Sequence, residues 1–301
     1  MRWINIFEPA GCGIDGRRVF WYDGFEQNKG GVFVYGAILG DIAGSRYEFS
    51  RPSHFRPWQV DLFSGSSRYT DDTVMSVAVK YALLTGTSYA KAFHLFGNRY
   101  PKAGYGVMFK QWLETGSTRG YQSLGNGGAM RVSFIGYWAK SLEEAEAQAA
   151  LSADCTHNHP QGVAAAKCTA GAVYLALHGA KKKDIMHYAS RYGYSVHRPL
   201  ALYRPFGKFD VTAAGTMPLA LRCFYESHNW ESCIRNAFSV RCDTDTVGCI
   251  AGGIADAFYG GTGFDEQKLL YRYLVQPDRF GRFDHFLYEW ATQKWERGES
   301  V

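Results

Sequence analysis

Oxygen-bearing side chains gather twice along this chain, at Thr70-Asp71-Asp72-Thr73 and again at Asp243-Thr244-Asp245-Thr246. Each cluster opens a stretch of small and apolar residues, 74–84 in the first case and 247–259 in the second. Carboxylates and hydroxyls are the ligands hard divalent cations take, so two such clusters converging in space read as a magnesium or manganese site. Taken singly, either is also an ordinary helix start, because Asp and Thr accept the free first-turn N–H groups and suit the helix dipole. The near-duplication, with a carboxylate in each copy beyond what a cap needs, tips the reading toward metal.

Between the clusters lie two loops with chemistry of their own. Gly125-Asn126-Gly127-Gly128-Ala129-Met130-Arg131 is a glycine-rich turn running into a helical pattern (Met130, Phe134, Trp138). Free N–H groups of such a loop can cradle a phosphate. The run matches neither a P-loop nor G-x-G-x-x-G, and its composition also allows a plain turn. Thr156-His157-Asn158-His159-Pro160 places two histidines just before a helix. Zinc would need further ligands, and no cysteine or third histidine stands at a supporting spacing. A hydrogen-bonding role at a ligand edge and a simple capping loop are the alternatives. Glu48 follows a glycine-spaced segment (Gly36, Gly40, Gly44) and by itself reads as a surface residue.

The elements that must position these groups are helices. Apolar spacing predicts a helix over 71–84, and Ser141-Leu142-Glu143-Glu144 reads as a capping box entering a helix to about Ala153. Pro160 suits the first turn of a helix over 161–178. Further helices are expected over 212–227, 230–239, 246–259 and 283–297. Small residues recur where helices would touch (Gly36, Gly40, Gly44; Gly248, Gly252, Gly253), letting backbones approach. Alternating β patterns are nearly absent after residue 35, so residues 34–301 read as one compact all-α domain. Residues 1–33 stand apart as an N-terminal extension. Its aromatic stretches, 18–22 and 31–35, are consistent with a β-hairpin or with an irregular strap on the helical core.

Bulk composition narrows the class. Across 301 residues, 46% are hydrophobic and 20% charged, which suits a chain with a sizeable core. A net charge of +5 is spread out. Lys181-Lys182-Lys183 is the one tight basic group and reads as a solvated helix start, so direct nucleic-acid binding is not indicated. Seven cysteines without a C-x-x-C pair argue against a disulfide framework or zinc ribbon, and several (Cys168, Cys223, Cys249) read as small core residues. No stretch approaches a membrane span and the start lacks a secretory signal, so a reduced cytoplasm is the expected setting.

Five ordered segments carry a resemblance. They are Gly36–Ser45 with Glu48, Arg68–Met75, Ser123–Val132, Thr156–Pro160, and Asp243–Thr246 with Ile250-Ala251-Gly252. Together they resemble the ADP-ribosylglycohydrolase family, the group that includes the dinitrogenase reductase-activating glycohydrolase, over roughly residues 34–262. The resemblance implies an orthogonal all-α fold with two divalent metal ions, Mg²⁺ or Mn²⁺, in a cleft. By carry-over the metal ligands are Thr70, Asp71, Asp72, Asp243, Asp245 and Thr246, and Glu48 is the catalytic carboxylate beside Asp71 and Asp72. ADP-ribose would be held by Ser123, Gly125, Asn126, Gly127, Gly128, Ala129, Met130 and His157. The implied reaction cleaves the glycosidic bond between ADP-ribose and a protein side chain, with arginine as first choice, so the implied partner is an ADP-ribosylated protein.

Three positions depart from the family pattern. Arg241-Cys242 stands where Gly-Gly is common, placing a cation beside the expected metals, where it would reach a phosphate or crowd the site. Gly128 replaces a frequent Ser, and Gln161 a frequent Glu. The extension over residues 1–33 lies outside the resemblance and motivates a second reading, a binding protein that blocks an ADP-ribosyltransferase toxin physically. An inactive structural descendant is a third reading, against which the intact acidic clusters speak.

Overall fold

The computed structural model describes residues 35–52, 54–195, 197–277 and 281–295, and nearly all of their regular structure is helical. In chain order the helices are α1 (Tyr35–Ser45), α2 (Asp71–Thr85), α3 (Tyr89–Arg99), α4 (Val107–Glu114), α5 (Gly127–Met130), α6 (Ser133–Trp138), α7 (Leu142–Asp154) and α8 (Pro160–Leu177). They continue with α9 (Lys182–Ser190), α10 (Leu200–Tyr203), α11 (Ala213–Tyr225), α12 (Trp230–Phe238), α13 (Thr244–Tyr259), α14 (Glu266–Leu274) and α15 (Phe286–Thr292). The only strands among the described residues are β1 (Gln276–Pro277) and β2 (Phe283–Asp284), an antiparallel pair. The all-α expectation holds.

Local chemistry sets the helix boundaries. Thr70, Ser141, Thr212 and Asn229 each accept a first-turn N–H at the starts of α2, α7, α11 and α12. Pro160 occupies the first turn of α8, where its missing N–H costs nothing. Gly86 and Gly260 end α2 and α13 in the left-handed conformation (φ 67° and 74°).

Among the described residues the most extensive helix packing is that of α1 with α13. Gly36, Gly40 and Gly44 lie against Gly252, Gly248 and Thr244–Asp245 at backbone distance. A Cβ built on Gly40 would stand 2.1 Å from the carbonyl oxygen of Gly248, and one on Gly44 2.4 Å from that of Thr244. No residue larger than glycine fits there. Asp256 on α13 accepts the Gly36 N–H at 2.9 Å, closing the first turn of α1.

Several elements differ from the sequence reading. The helix expected over 283–297 shortens to α15, because β2 pairs with β1 and the Asp284 carboxylate is occupied. It accepts from Arg99 Nη2 (3.0 Å), Tyr100 Oη (3.1 Å) and the Phe286 N–H (3.0 Å), which starts the helix later. The pattern over 130–138 divides into α5 and α6 with a break at Arg131-Val132. Helix α13 begins two residues before the expected start, bringing Asp245 and Thr246 into its first turn. The lysine run is not simply solvated: Lys182 Nζ donates to the carbonyls of Phe224, Tyr225 and Ser227 at 3.0, 3.1 and 2.6 Å, closing the end of α11. Ser141 caps α7 as read, but Glu144 reaches the Lys140 N–H instead of completing the box.

The six described cysteines are buried and unpaired, consistent with small core residues. No described helix is long and apolar enough to cross a membrane. Residues 1–33, and with them the hairpin-or-strap and partner-arm readings, lie outside the described residues. Tyr35, the last residue of the second aromatic stretch, opens α1.

Candidate functional site

The glycine contact of α1 with α13 carries two carboxylates together, Asp41 from α1 and Asp245 from α13. Helix α2 enters with its N-terminus toward them. Asp41 accepts from the N–H and O–H of Thr70 (2.9 and 2.7 Å) and from the N–H and O–H of Thr73 (3.1 and 2.5 Å). The start of α2 is thus tied to α1 by a carboxylate receiving four donors. Carboxylate oxygens of Asp41, Asp72 and Asp245 lie within 4.8 Å of one another, as do those of Glu48, Asp243 and Asp245. Asp245 belongs to both groups. Thr246 Oγ1 donates to Asp72 Oδ2 at 3.1 Å, joining the two sequence clusters directly.

Not every expected ligand sits in these groups. Asp71 belongs to neither, although it is partly exposed and lines the adjoining cleft. Thr70 lies behind the cleft wall, capping α2 and donating to Asp41. A hydroxyl that gives its proton to a carboxylate keeps a lone pair for a cation, so the position still suits a ligand. Asp41 was not singled out from the sequence. The available signal was a carboxylate inside an otherwise apolar, glycine-spaced helix.

Six carboxylates crowd this end of the cleft, and among the described residues none is ion-paired with Lys or Arg. Burial first, and then the neighbouring acids, push Asp71 up to about 8 and Glu48 up to about 7. Burial pushes Asp41 up to about 6 against its four hydrogen bonds, and Asp72, Asp243 and Asp245 also rise. Asp72 Oδ1 is buried without a hydrogen-bond partner in the protein. Shared, unpaired and partly orphaned oxygens of this kind are what a hard divalent cation compensates, so the donor set fits one.

The cleft encloses about 440 Å³, enough for a small-molecule ligand. Glu48, Asp71, Asp72, Asp243, Asp245 and Thr246 line its acidic end, and Ser123, Gly125, Asn126, Gly127, Met130 and His157 also line it. Gly128 and Ala129 do not reach it. Tyr105, Met108, Phe209 and Val211 supply apolar wall, and the Phe49 and Phe209 rings approach to 5.6 Å. The buried Tyr105 Oη has no hydrogen-bond partner in the protein.

Hydrogen bonds show what the glycine loop has to offer. The Gly125 N–H donates to Ser123 Oγ and the Asn126 N–H to the Val211 carbonyl. The loop's described hydrogen bonds leave over the N–H groups of Gly127 and Gly128, in the first turn of α5. Asn126 turns its side-chain amide the other way, donating to Asp243 Oδ2 (2.7 Å) and Thr216 Oγ1 (3.1 Å), so it orients a carboxylate. His157 is buried against the loop, and a Cβ on Gly127 would stand 2.8 Å from its Nε2. His159, by contrast, is a half-buried cap whose Nδ1 accepts the Gln161 N–H. The two histidines therefore serve different ends.

Arg241 neither reaches nor crowds the acidic end. It lines a separate hollow of about 300 Å³ with Arg198, Phe206, Lys208 and Asp210. The segment between the two hollows alternates: Phe209 and Val211 face the cleft, Lys208 and Asp210 the other side. The cation that holds the approach to α13 is Arg51, donating to the carbonyls of Phe238 and Val240 and to Thr244 Oγ1.

Comparison with known proteins assigns this all-helical fold, with its carboxylate-rich cleft beside a glycine loop, to a class of hydrolases that act on ADP-ribose glycosidic bonds. The ADP-ribosylglycohydrolase family model matches residues 31–283, and the chain belongs to that family. It is 28% identical to human ADP-ribosylhydrolase ARH3 over 303 residues, covering 75% of this chain and 84% of the relative. It is 25% identical to the ADP-ribosylarginine hydrolase Tri1 of Pseudomonas putida (strain GB-1), covering 79% and 72%. A solved structure titled ADP-ribosylglycohydrolase-related protein complex superposes with a TM-score of 0.64 at 23% identity, covering 86% of this chain and 93% of that one, and supports the fold.

Proposed function

We propose that this chain is a divalent-metal-dependent hydrolase that releases ADP-ribose from modified protein side chains, arginine first among them. The observation that carries the reading is the pair of carboxylate groups sharing Asp245 at one end of a cleft whose lining also includes the glycine loop and His157. The arginine preference rests on the likeness to the Pseudomonas putida ADP-ribosylarginine hydrolase Tri1.

Asp72, Asp243, Asp245, Thr70 and Thr246 would hold two cations, with Asp71 and Glu48 at their cleft side and Asp41 orienting Thr70. Bound there, Mg²⁺ or Mn²⁺ would supply positive charge that acidifies water and orders the ribose hydroxyls. The protein's own groups do the rest. The Gly127 N–H and His157 face the diphosphate, while Ser123, Gly125 and Met130 shape the adjoining wall. Glu48, half-buried beside Asp243 and Asp245, is placed to move the proton. Water oxygen bonds to the anomeric carbon, the carbon–nitrogen bond breaks through an oxocarbenium-like state, and the departing guanidine nitrogen is protonated.

The test is release of ADP-ribose from an arginine-ADP-ribosylated protein with Mg²⁺, with Mn²⁺ and with EDTA. Release that needs the metal supports the reading. Protein that binds ADP-ribose but frees none from arginine, serine or ester linkages would overturn it.

A further inference from the structure

Arg131 is 1% exposed, and among the described residues no carboxylate pairs with it. Its Nε donates to Ser152 Oγ (3.3 Å) and its Nη2 to the Ser152 carbonyl (2.6 Å) and to Thr156 Oγ1 (2.7 Å), with the Phe93 ring 4.2 Å from the guanidinium carbon. Arg131 also lines the cleft. A buried cation without a counter-charge is expensive, and an apolar side chain would fill the same space more cheaply. Its position beneath the glycine loop calls for another reason.

That reason lies one hydrogen bond further on. Thr156 Oγ1, itself fully buried, touches Arg131 Nη2 on one side and His157 Nδ1 (2.9 Å) on the other. A guanidinium can only donate. The hydroxyl therefore accepts from Arg131, and its single proton has two described acceptors, His157 Nδ1 at 2.9 Å and the Cys155 sulfur, of which the imidazole nitrogen is much the stronger. Were Nδ1 to carry the ring proton, the buried Thr156 O–H would be left with only the weak sulfur acceptor of Cys155, and two donors would face each other across 2.9 Å. The remaining ring nitrogen, Nε2, lies against Gly125 and Gly127.

We propose that Arg131 and Thr156 are positioning residues that lock His157 as the neutral tautomer with its proton on Nε2, aimed into the cleft beside the glycine loop. Burial and the Arg131 charge both hold the imidazole well below its ordinary range, which keeps it from gaining a second proton. The arrangement gives the loop a fixed N–H donor with a positive charge behind it, complementary to a diphosphate. That last use rests on the proposed function. The tautomer is a property of the free protein and can be read without it.

The experiment is long-range ¹H–¹⁵N NMR of the histidine rings in the unliganded full chain, with His157 assigned by His157→Gln, and ADP-ribose affinity measured alongside. Wild type should show Nδ1 bare and Nε2 protonated across neutral pH. Thr156→Val keeps the shape and removes the relay; it should lose the single-tautomer signature and weaken ADP-ribose binding about tenfold. Thr156→Ser should restore both, a rescue that a packing role would not predict. A proton on Nδ1 in wild type would overturn the lock, as would Thr156→Val retaining tautomer and affinity. The expected tautomer in a protein that does not bind ADP-ribose would uphold the lock and count against the function alone.

Discussion

Asp41 accepts both the N–H and the O–H of Thr70, 29 positions away, so one carboxylate on α1 sets where α2 begins. Asp41→Asn would replace an acceptor oxygen with an amide donor facing other donors. Metal affinity should fall about 10- to 100-fold, as for residues that orient ligands, and activity with it. Titration calorimetry with Mn²⁺ on protein whose helical content is unchanged is the check. Wild-type affinity would reduce Asp41 to a structural tie.

Asp245 is the carboxylate common to both groups, so Asp245→Ala should abolish metal-stimulated release of ADP-ribose, and Asp71→Ala should do the same. Either variant turning over at the wild-type rate would remove that residue from the assignment.

Glu48→Gln is expected to behave differently. It retains shape and hydrogen-bonding capacity, so ADP-ribose binding should stay within a few-fold while turnover drops about 10²- to 10⁴-fold. Calorimetry and a rate assay on the same preparation separate the two effects.

How far the site could be read in advance depended on range. The start of α2 announced itself, and that of α13 to within two residues, because Thr and Asp before an apolar run is local chemistry, and the glycine triplet foretold a close helix contact. What escaped was tertiary. Asp41 looked like part of a helix until α2 was laid against it. Asn126 read as part of a ligand loop, and nothing local announced that its amide also meets Asp243 from the far end of the chain. Lys182 found three carbonyls on another helix, and Arg241 turned into a different hollow from the one its neighbour Asp243 enters. A helix period also says nothing of a two-residue strand pair, which is why the start of α15 was misplaced.

Gly40→Ala should destabilise the protein by about 3 kcal/mol or prevent folding, despite the better helix propensity of alanine. The obstruction is backbone, the Gly248 carbonyl at 2.1 Å, and cannot rotate away. Gly65→Ala is the control: its Cβ meets nothing within 4 Å, so its urea midpoint should stay near wild type. Equal midpoints for the two variants would refute the close-contact argument.

Lys80 gives a pH signature away from the acidic cluster. Burial lowers it to about 7, while its Nζ donates to the Ala291 carbonyl at 2.8 Å. Between pH 7 and its ordinary value near 10.5 the unfolded chain holds a proton that the folded chain lacks. Stability from this group therefore rises with pH through that window, by at most about 1.4 kcal/mol per unit. Lys80→Met should flatten that part of the profile and gain most below pH 7. Urea midpoints of both proteins at pH 6.5 and 9 decide it, and parallel shifts would contradict the assignment.

The glycine seam between α1 and α13 works as a caliper. At Gly40 and Gly44, the glycines nearest Asp41 and Asp245, the gap is set by backbone against backbone, and the side chain that interlocks across the seam, Asp256, does so farther along at Gly36. Repacking elsewhere in the core is thereby uncoupled from the reach between the carboxylates. A variant that alters this gap must act on the seam itself.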